Sequence, residues 1–224
     1  MGEAFDMLVV RENLDAGRCL AGVIGLHGII DPEAGMCFLS PQFPGRGKDI
    51  RVLDIIRRHL PDGLPLYLDN WVHFYALAEA AALDEKARRF FLISSEPEGL
   101  NGAMLTDGRL YRGHECLSGE IGHMIVDSCD DAEVCLCGGK GCFEAAVSPR
   151  RLVERISVRL AGEEDAVLSP VLAERGLVFA DIVEAAEAGS GMARAELERS
   201  ARFFAIGIRN LMQTFDPELV VIQG

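Results

Sequence analysis

The sequence predicts a mixed α/β fold, of the α/β or α+β kind, arranged as two lobes. Three observations carry that expectation. Short apolar runs of strand length alternate with helix-period segments up to about residue 126. A β-hairpin signature interrupts the alternation at 101–113. From Ser148 onward the pattern becomes mostly helical. The 224 residues suffice for one large domain or two small lobes with a real core, and 49% apolar residues with 24 glycines is a globular composition. The lobe boundary is expected near 85/86, giving an N-terminal α/β lobe over 1–85 and a C-terminal α/β lobe over 86–224.

The elements follow in chain order. Residues 4–14 read as a helix, with Phe5, Leu8 and Val9 at i, i+3 and i+4. "CLAGVIGLHG" (19–28) reads as a buried strand running into a glycine turn, and "IIDPEAGMCFLS" continues through an Asp-Pro and Gly turn into a second extended piece. Asp49 to Leu60 is amphipathic, with Ile50, Leu53, Ile55, Ile56 and Leu60 on one side. "LPLYLDN" (64–70) is a short strand, and Val72 to Leu83 is an Ala-rich helix. "RRFFLISS" (88–95) is a strand. "NGAMLTDGRLYRG" (101–113) carries Asp107-Gly108 between two β-like runs. Gly122 to Val126 is read as extended, Met192 to Phe215 as one long helix, and "ELVVIQG" (218–224) as a last buried strand. A buried strand ending on the final residue, and a first helix with no strand before it, suggest a fragment of a longer chain that is partial at both termini.

Charge and cysteine usage narrow the function classes. A net charge of −13 repels nucleic acid and anionic membrane, and the nearest basic run, Lys86-Ala-Arg88-Arg89, is too short to form a DNA-binding surface. No stretch approaches the roughly 20 apolar residues of a membrane-spanning helix. The N-terminus, "MGEAFDMLVVREN", lacks the basic region of a signal peptide. Seven unevenly spaced cysteines argue against a secreted disulfide framework and for a reducing, cytoplasmic location.

Three of those cysteines fall in "CLCGGKGC" (135–142), downstream of "GEIGH" (119–123). His123, Cys135, Cys137 and Cys142 form a set of one imidazole and three thiols that suits a closed tetrahedral structural zinc site. The glycines let sulfurs at i, i+2 and i+7 converge. Free thiols on a Gly-rich turn are the plainer alternative, and a redox pair would more usually be Cys-x-x-Cys.

"GEIGHMIVD…CLCGGKGCFE" resembles the signature of the ROK family, which contains bacterial sugar-responsive repressors and sugar kinases. The family pattern, Glu-x-Gly-His followed by Cys-x-Cys-Gly-x-x-Gly-Cys-x-Glu, is matched at Glu120, Gly122, His123, Cys135, Cys137, Gly138, Gly141, Cys142 and Glu144. The spacer between His123 and Cys135 is slightly longer than usual. "VIGLHGIIDPEAGMCFLSP", "DGRLYRGHECLSGEIGH" and "IGIRNLMQTFDPELVVIQG" extend the resemblance along most of the chain. It implies an actin/hexokinase-like fold of two ribonuclease-H-type lobes, with a zinc-binding loop over 123–142. It also implies that Glu120, His123 and Glu144 contact sugar hydroxyls, which both donate and accept hydrogen bonds. One nitrogen of His123 would hold zinc while the other faces the ligand.

The same resemblance exposes departures. A family kinase needs an N-terminal Asp-x-Gly-x-Thr phosphate loop, and this chain starts beyond its expected place. It needs a Gly-Thr-Gly-x-Gly-Gly loop, where this chain reads "SSEPEGLNG" (94–102). There Pro97 removes a backbone N–H, and Glu96 and Glu98 add negative charge. It needs a general-base Asp in a Glu-Asn-Asp-x-Asn motif before an Ala-rich helix. Anchored on Ala76-Leu77-Ala78-Glu79, this chain reads Asp69-Asn70-Trp71, so Trp71 occupies the base position. Trp71 is then either core packing or a stacking surface for a sugar face. Asn70, Trp71, Glu120, His123 and Glu144 are the candidate ligand contacts.

The expected function is the effector-binding and oligomerising portion of a ROK-type transcription regulator, zinc-stabilised, without catalytic competence and without a membrane partner. It would bind a sugar or sugar derivative, self-associate, and reach DNA only through a domain missing from this chain. The alternative is an ATP-dependent, glucokinase-like sugar kinase whose phosphate loop lies outside the chain.

Overall fold

The computed structural model describes residues 7, 10–12, 15, 18–40, 43, 48–83, 89–96 and 99–224. Most of the helix expected at 4–14, and Pro97 and Glu98 of the expected phosphate loop, lie outside them. The chain divides into two units: Met1–Lys86 with Gly108–Ser118, and Ala87–Asp107 with Gly119–Gly224. The segment 108–118, which a boundary at 85/86 places in the C-terminal lobe, packs with the first unit.

In the first unit, β1 (Gly22–Leu26) pairs in parallel with β5 (Leu66–Asn70), Gly22 opposite Leu66 and Leu26 opposite Asn70. Strands β2 (Ile29–Asp31), β3 (Met36–Leu39) and β4 (Lys48–Ile50) form an antiparallel meander. The Asp31 carboxylate accepts from the N–H groups of Glu33 (3.0 Å) and Ala34 (2.9 Å), which closes the turn between β2 and β3. Helix α1 (Val52–Arg57) is shorter than the amphipathic run predicts. Ile50 is drawn into β4 opposite Cys37, and Asp49 takes a left-handed φ of 54°, so the helix cannot begin before that point. Val52, Leu53 and Ile56 enter the core with Ile30, Cys37 and Leu68, whereas Ile55 faces outward. Strand β1 is not buried as the apolar run suggests. It has one paired neighbour among the described residues, and Val23 is exposed opposite an exposed Tyr67.

Helix α2 (Trp71–Ala82) starts where β5 ends. Asn70 is its N-cap: the side-chain oxygen accepts from the N–H of Val72 at 3.2 Å, satisfying one of the free donors of the first turn. This cap fixes the direction in which Trp71 leaves the sheet.

In the second unit, β6 (Arg89–Glu96) is the buried central strand, antiparallel to β7 (Gly99–Thr106) and parallel to β9 (Leu219–Gln223). Phe90 to Ile93 are all buried, which explains the unbroken apolar run. At the end of β7 the chain passes into the first unit: Asp107 and Gly108 have φ of 51° and 73° and lead into β8 (Arg109–Leu110) of that unit, the turn expected from the sequence. Residues 122–126 are not a strand. Ile121–His123 form a 3-10 turn, closed by His123 N–H to Glu120 C=O (3.1 Å) and Met124 N–H to Ile121 C=O (3.0 Å). An apolar run this short carries no period, so local hydrogen bonding decides its shape.

Helices α3 (Phe143–Val147), α4 (Pro149–Leu160), α5 (Leu168–Arg175), α6 (Phe179–Glu187) and the 25-residue α7 (Gly191–Phe215) follow. Ser190 caps α7 by accepting from the N–H of Ala193 at 3.0 Å. One core gathers Phe91, Ile93, Leu100, Ile121, Phe143 and Leu211 between sheet and helices. A second joins Leu152, Ile156, Leu168, Ile182 and Met192 among the helices themselves. Strand β9 is half-exposed rather than buried, with Ile222 facing outward. Among the described residues no helix is long and apolar enough to cross a membrane.

Candidate functional site

The loop between the 3-10 turn and α3 folds back on itself. Val126 and Asp127 donate to the carbonyl of Gly141, Gly141 donates to Glu133, and Cys135 donates to Gly139 at 2.8 Å. Gly141 has a φ of 70°, and a Cβ there would lie 1.8 Å from the carbonyl oxygen of Asp127, so only glycine permits this closure. Cys135 and Cys137 sit on the loop, Cys142 directly precedes α3, and His123 ends the 3-10 turn.

One ligand atom from each of His123, Cys135, Cys137 and Cys142 lies within 4.8 Å of all the others. His123 Nδ1 is 3.8 Å from Cys135 Sγ, and the sulfurs of Cys137 and Cys142 are 3.7 Å apart. A tetrahedral site with metal–sulfur bonds of about 2.3 Å has edges of about 3.8 Å. The spacing is therefore that of ligands around one metal ion. The 3.7 Å between Cys137 and Cys142 is also too long for a disulfide, and all three cysteines are free thiols.

The electrostatics agree. Burial pushes the Cys135 thiol up, and burial together with the neighbouring thiols pushes Cys142 up to about 12. The Gly139 N–H, 3.4 Å from Cys137 Sγ, draws that thiol down. Three thiolates packed this closely repel one another, and a bound cation is what allows all three protons to leave. The cluster can hold a metal ion.

The other ring nitrogen of His123, Nε2, faces the Glu120 carboxylate at 3.7 Å. The two nitrogens thus face opposite partners, thiols on one side and a carboxylate on the other. Glu144 projects from α3, and its Oε2 accepts from the N–H of Leu100 at 3.2 Å. Gly122 makes this convergence possible. A Cβ there would sit 2.4 Å from the Leu100 carbonyl oxygen and 3.3 Å from the Glu144 side chain. Glu120, His123 and Glu144 therefore share one neighbourhood, built from the 3-10 turn, β7 and α3.

The remaining candidates lie in the first unit. Trp71 does not simply pack into the core. Its Nε1–H donates to His27 Nδ1 at 2.5 Å, the two rings lie 4.9 Å apart, and Tyr75 meets the indole edge-on at 4.7 Å. Asn70 donates from Nδ2 to the carbonyl of Gly28 at 2.9 Å while its oxygen caps α2. Asp69 is buried, and both its oxygens are engaged. Oδ1 accepts from the N–H of Asn70 (2.8 Å) and pairs with His73 Nδ1 (2.6 Å), and Oδ2 accepts from Arg112 Nη2 (2.5 Å). Burial alone would raise this carboxyl, but His73 and Arg112 outweigh it and hold it below the usual carboxylate range.

Sequence reading missed these partners of Asp69. His73 had a signal, standing four residues on at the spacing of one helix turn. Arg112 had none, because it is 43 residues away and arrives only through the fold of 108–118.

The ROK family profile matches residues 1–224. The chain belongs to the ROK family. Among curated ROK relatives, the chain is 32% identical over 200 residues to a xylose repressor of Caldicellulosiruptor bescii, covering 89% of this chain and 48% of that protein. It is 26% identical over 212 residues to a glucokinase of Thermotoga maritima, covering 90% of this chain and 62% of that protein. The chain spans about half the length of the curated repressors it matches. Among solved structures, a ROK transcriptional regulator homologous to the E. coli Mlc protein superposes with a TM-score of 0.81 at 26% identity, over 99% of this chain and 53% of that one. A ROK hexokinase from Thermus thermophilus gives 0.77 at 26% identity, over 100% and 68%. The fold is accordingly the mixed α/β, actin/hexokinase-like fold of ROK proteins. Repressors and sugar kinases both stand among the relatives.

Proposed function

We propose that this chain is the effector-binding and oligomerising portion of a ROK transcription regulator, stabilised by zinc and without kinase activity. The observation that carries the reading is at the start of α2. Trp71 stands at the family's base position, and an indole cannot accept a proton. The neighbouring carboxylate, Asp69, is clamped by His73 and Arg112 with its pKa lowered, the reverse of what a general base near neutral pH requires. The stretch at the expected phosphate loop also carries Pro97, which lacks an N–H, between the acidic Glu96 and Glu98. The similarity to xylose repressors supports the same reading.

The effector class is a sugar or sugar derivative. A structural neighbour, the ROK glucokinase of Streptomyces griseus, was solved with glucose and AMPPNP, which supports a sugar ligand through the shared fold. Glu120, His123 and Glu144 are the proposed hydroxyl partners in the second unit. Trp71 and Asn70 are the candidate contacts in the first unit. Zinc is the proposed metal for His123, Cys135, Cys137 and Cys142, since three thiolates and one imidazole are soft to borderline donors. Zinc would fix the ring orientation of His123, leaving Nε2 to act with Glu120. The regulator works in the cytoplasm as a homo-oligomer, with its DNA contacts outside residues 1–224.

The test is a coupled ADP-release assay on a panel of hexoses, pentoses and N-acetylhexosamines, run with the full-length parent, alongside a promoter gel shift. The expected result is no sugar-dependent turnover, and a shift that one sugar relieves. Sugar-dependent turnover above background would move the protein to the kinase class.

A further inference from the structure

Two arginines on one face of α4, Arg151 and Arg155, reach the two residues that lead into the cysteine loop. Arg151 Nη2 donates to the carbonyl of Val134 at 3.0 Å. Arg155 Nη1 donates to both carboxylate oxygens of Glu133, at 2.9 and 3.0 Å. The spacing of four residues places both side chains over the same stretch of backbone. Arg155 goes further. Its Nη1 and Nη2 donate to the carbonyls of Ala145 (3.1 Å) and Ala146 (3.2 Å), in the helix that begins directly after Cys142. Its Nε donates to Glu196 of α7 at 2.6 Å.

We propose that Arg155 is a positioning residue for the metal site: by holding Glu133 and α3 together, it sets the distance between the thiols of Cys135 and Cys142 before any metal arrives. This inference rests on the reading of the His-Cys cluster as a zinc site. Three observations carry it. The side chain is largely buried, so its geometry is fixed rather than averaged by solvent. Its acceptors belong to both approaches to the cluster: Glu133 is two residues before Cys135, and Ala145 packs with Cys135 and Cys142 themselves. Glu133 is moreover tied from both ends, because its carbonyl accepts from the N–H of Gly141, the residue before Cys142. A planar guanidinium can serve a carboxylate, two carbonyls and a second carboxylate at once, which an ammonium cannot.

The anchoring runs in both directions. Glu196 is buried, and it joins α7 to the same guanidinium. Metal affinity therefore depends on α4 and α7 being docked, and metal binding stabilises that docking by the same factor. Outer partners of metal ligands commonly contribute about 10–100-fold to affinity.

The experiment measures zinc affinity by chelator competition on the full chain, for wild type, Arg155→Lys, Glu133→Gln and Arg175→Lys, with melting temperatures of the metal-loaded and metal-stripped forms. Arg175 pairs with Asp181 at 2.6 Å, joining α5 to α6 away from the loop, and serves as an ion-pair control. The expected result is zinc affinity weaker by about 10–100-fold in Arg155→Lys and Glu133→Gln. Their gain in melting temperature on zinc addition should also be smaller, while Arg175→Lys keeps wild-type affinity. If Arg155→Lys does not fold, Glu133→Gln decides the matter. Folded variants that bind zinc within threefold of wild type, whatever their melting temperature, would overturn the inference and leave the zinc site standing. A wild-type chain that takes up no zinc would overturn both.

Discussion

Arg112 Nη2 meets Asp69 Oδ2 at 2.5 Å, while His73 Nδ1 meets the other oxygen at 2.6 Å, so a buried carboxylate at the mouth of α2 is held on both sides. Removing its charge leaves Arg112 without a counter-ion in a partly buried site. Asp69→Asn should cost about 3 kcal/mol or more in denaturant unfolding. A loss within about 0.5 kcal/mol, typical of an exposed ion pair, would show that the cluster is solvated.

The same group predicts a pH dependence. The folded-state pKa of Asp69 lies below its unfolded value. Its contribution is therefore fully present above the unfolded pKa and is lost as pH falls through the folded one. Stability of the wild type should decline on acidification below the ordinary carboxylate range, and Asp69→Asn should show a shallower decline there. Parallel pH profiles would contradict the assignment.

Protein purified without added metal should carry about one zinc per chain. Stripping it should lower the melting temperature, and Cys137→Ser should do the same, because binding energy at such a site is folding energy. A folded, metal-free protein with His123 and all three thiols freely reactive would refute the site.

Trp71 is the chain's one tryptophan, so its fluorescence reports on the start of α2 alone. An effector sugar that meets the indole should change that emission saturably. Trp71→Asp should not restore phosphoryl transfer, since that reaction also needs a phosphate cradle and bound ATP-magnesium. Sugar-dependent ADP release by Trp71→Asp in the full-length parent would show that the base alone was missing.

The isolated chain should not retard its own promoter DNA at physiological salt, given a net charge of −13. A salt-resistant, sequence-dependent shift would place a DNA surface within residues 1–224.

Much of this was legible in the residues themselves. Three cysteines within eight positions and a histidine upstream name their own chemistry, because ligand type and short spacing are local properties. The central strand Arg89–Glu96 and the long helix Gly191–Phe215 announced themselves by an unbroken apolar run and a sustained helical period. The proposed placing of Trp71 where the family has its base likewise rests on one line of text, Asp69-Asn70-Trp71 ahead of Ala76-Leu77-Ala78-Glu79.

What only the tertiary structure decided is how distant residues meet. The two-faced placement of His123, with Nδ1 toward Cys135 and Nε2 toward Glu120, depends on a 3-10 turn where the sequence suggests a strand. The clamping of Asp69 by Arg112, and the hold of Arg155 on Glu133, Ala145 and Glu196, join segments 9 to 43 residues apart. A polar side chain has no periodic signature that says which partner it will find. Its partner is set by where the apolar faces of strands and helices pack, and the burial that follows obliges each charge to be paired.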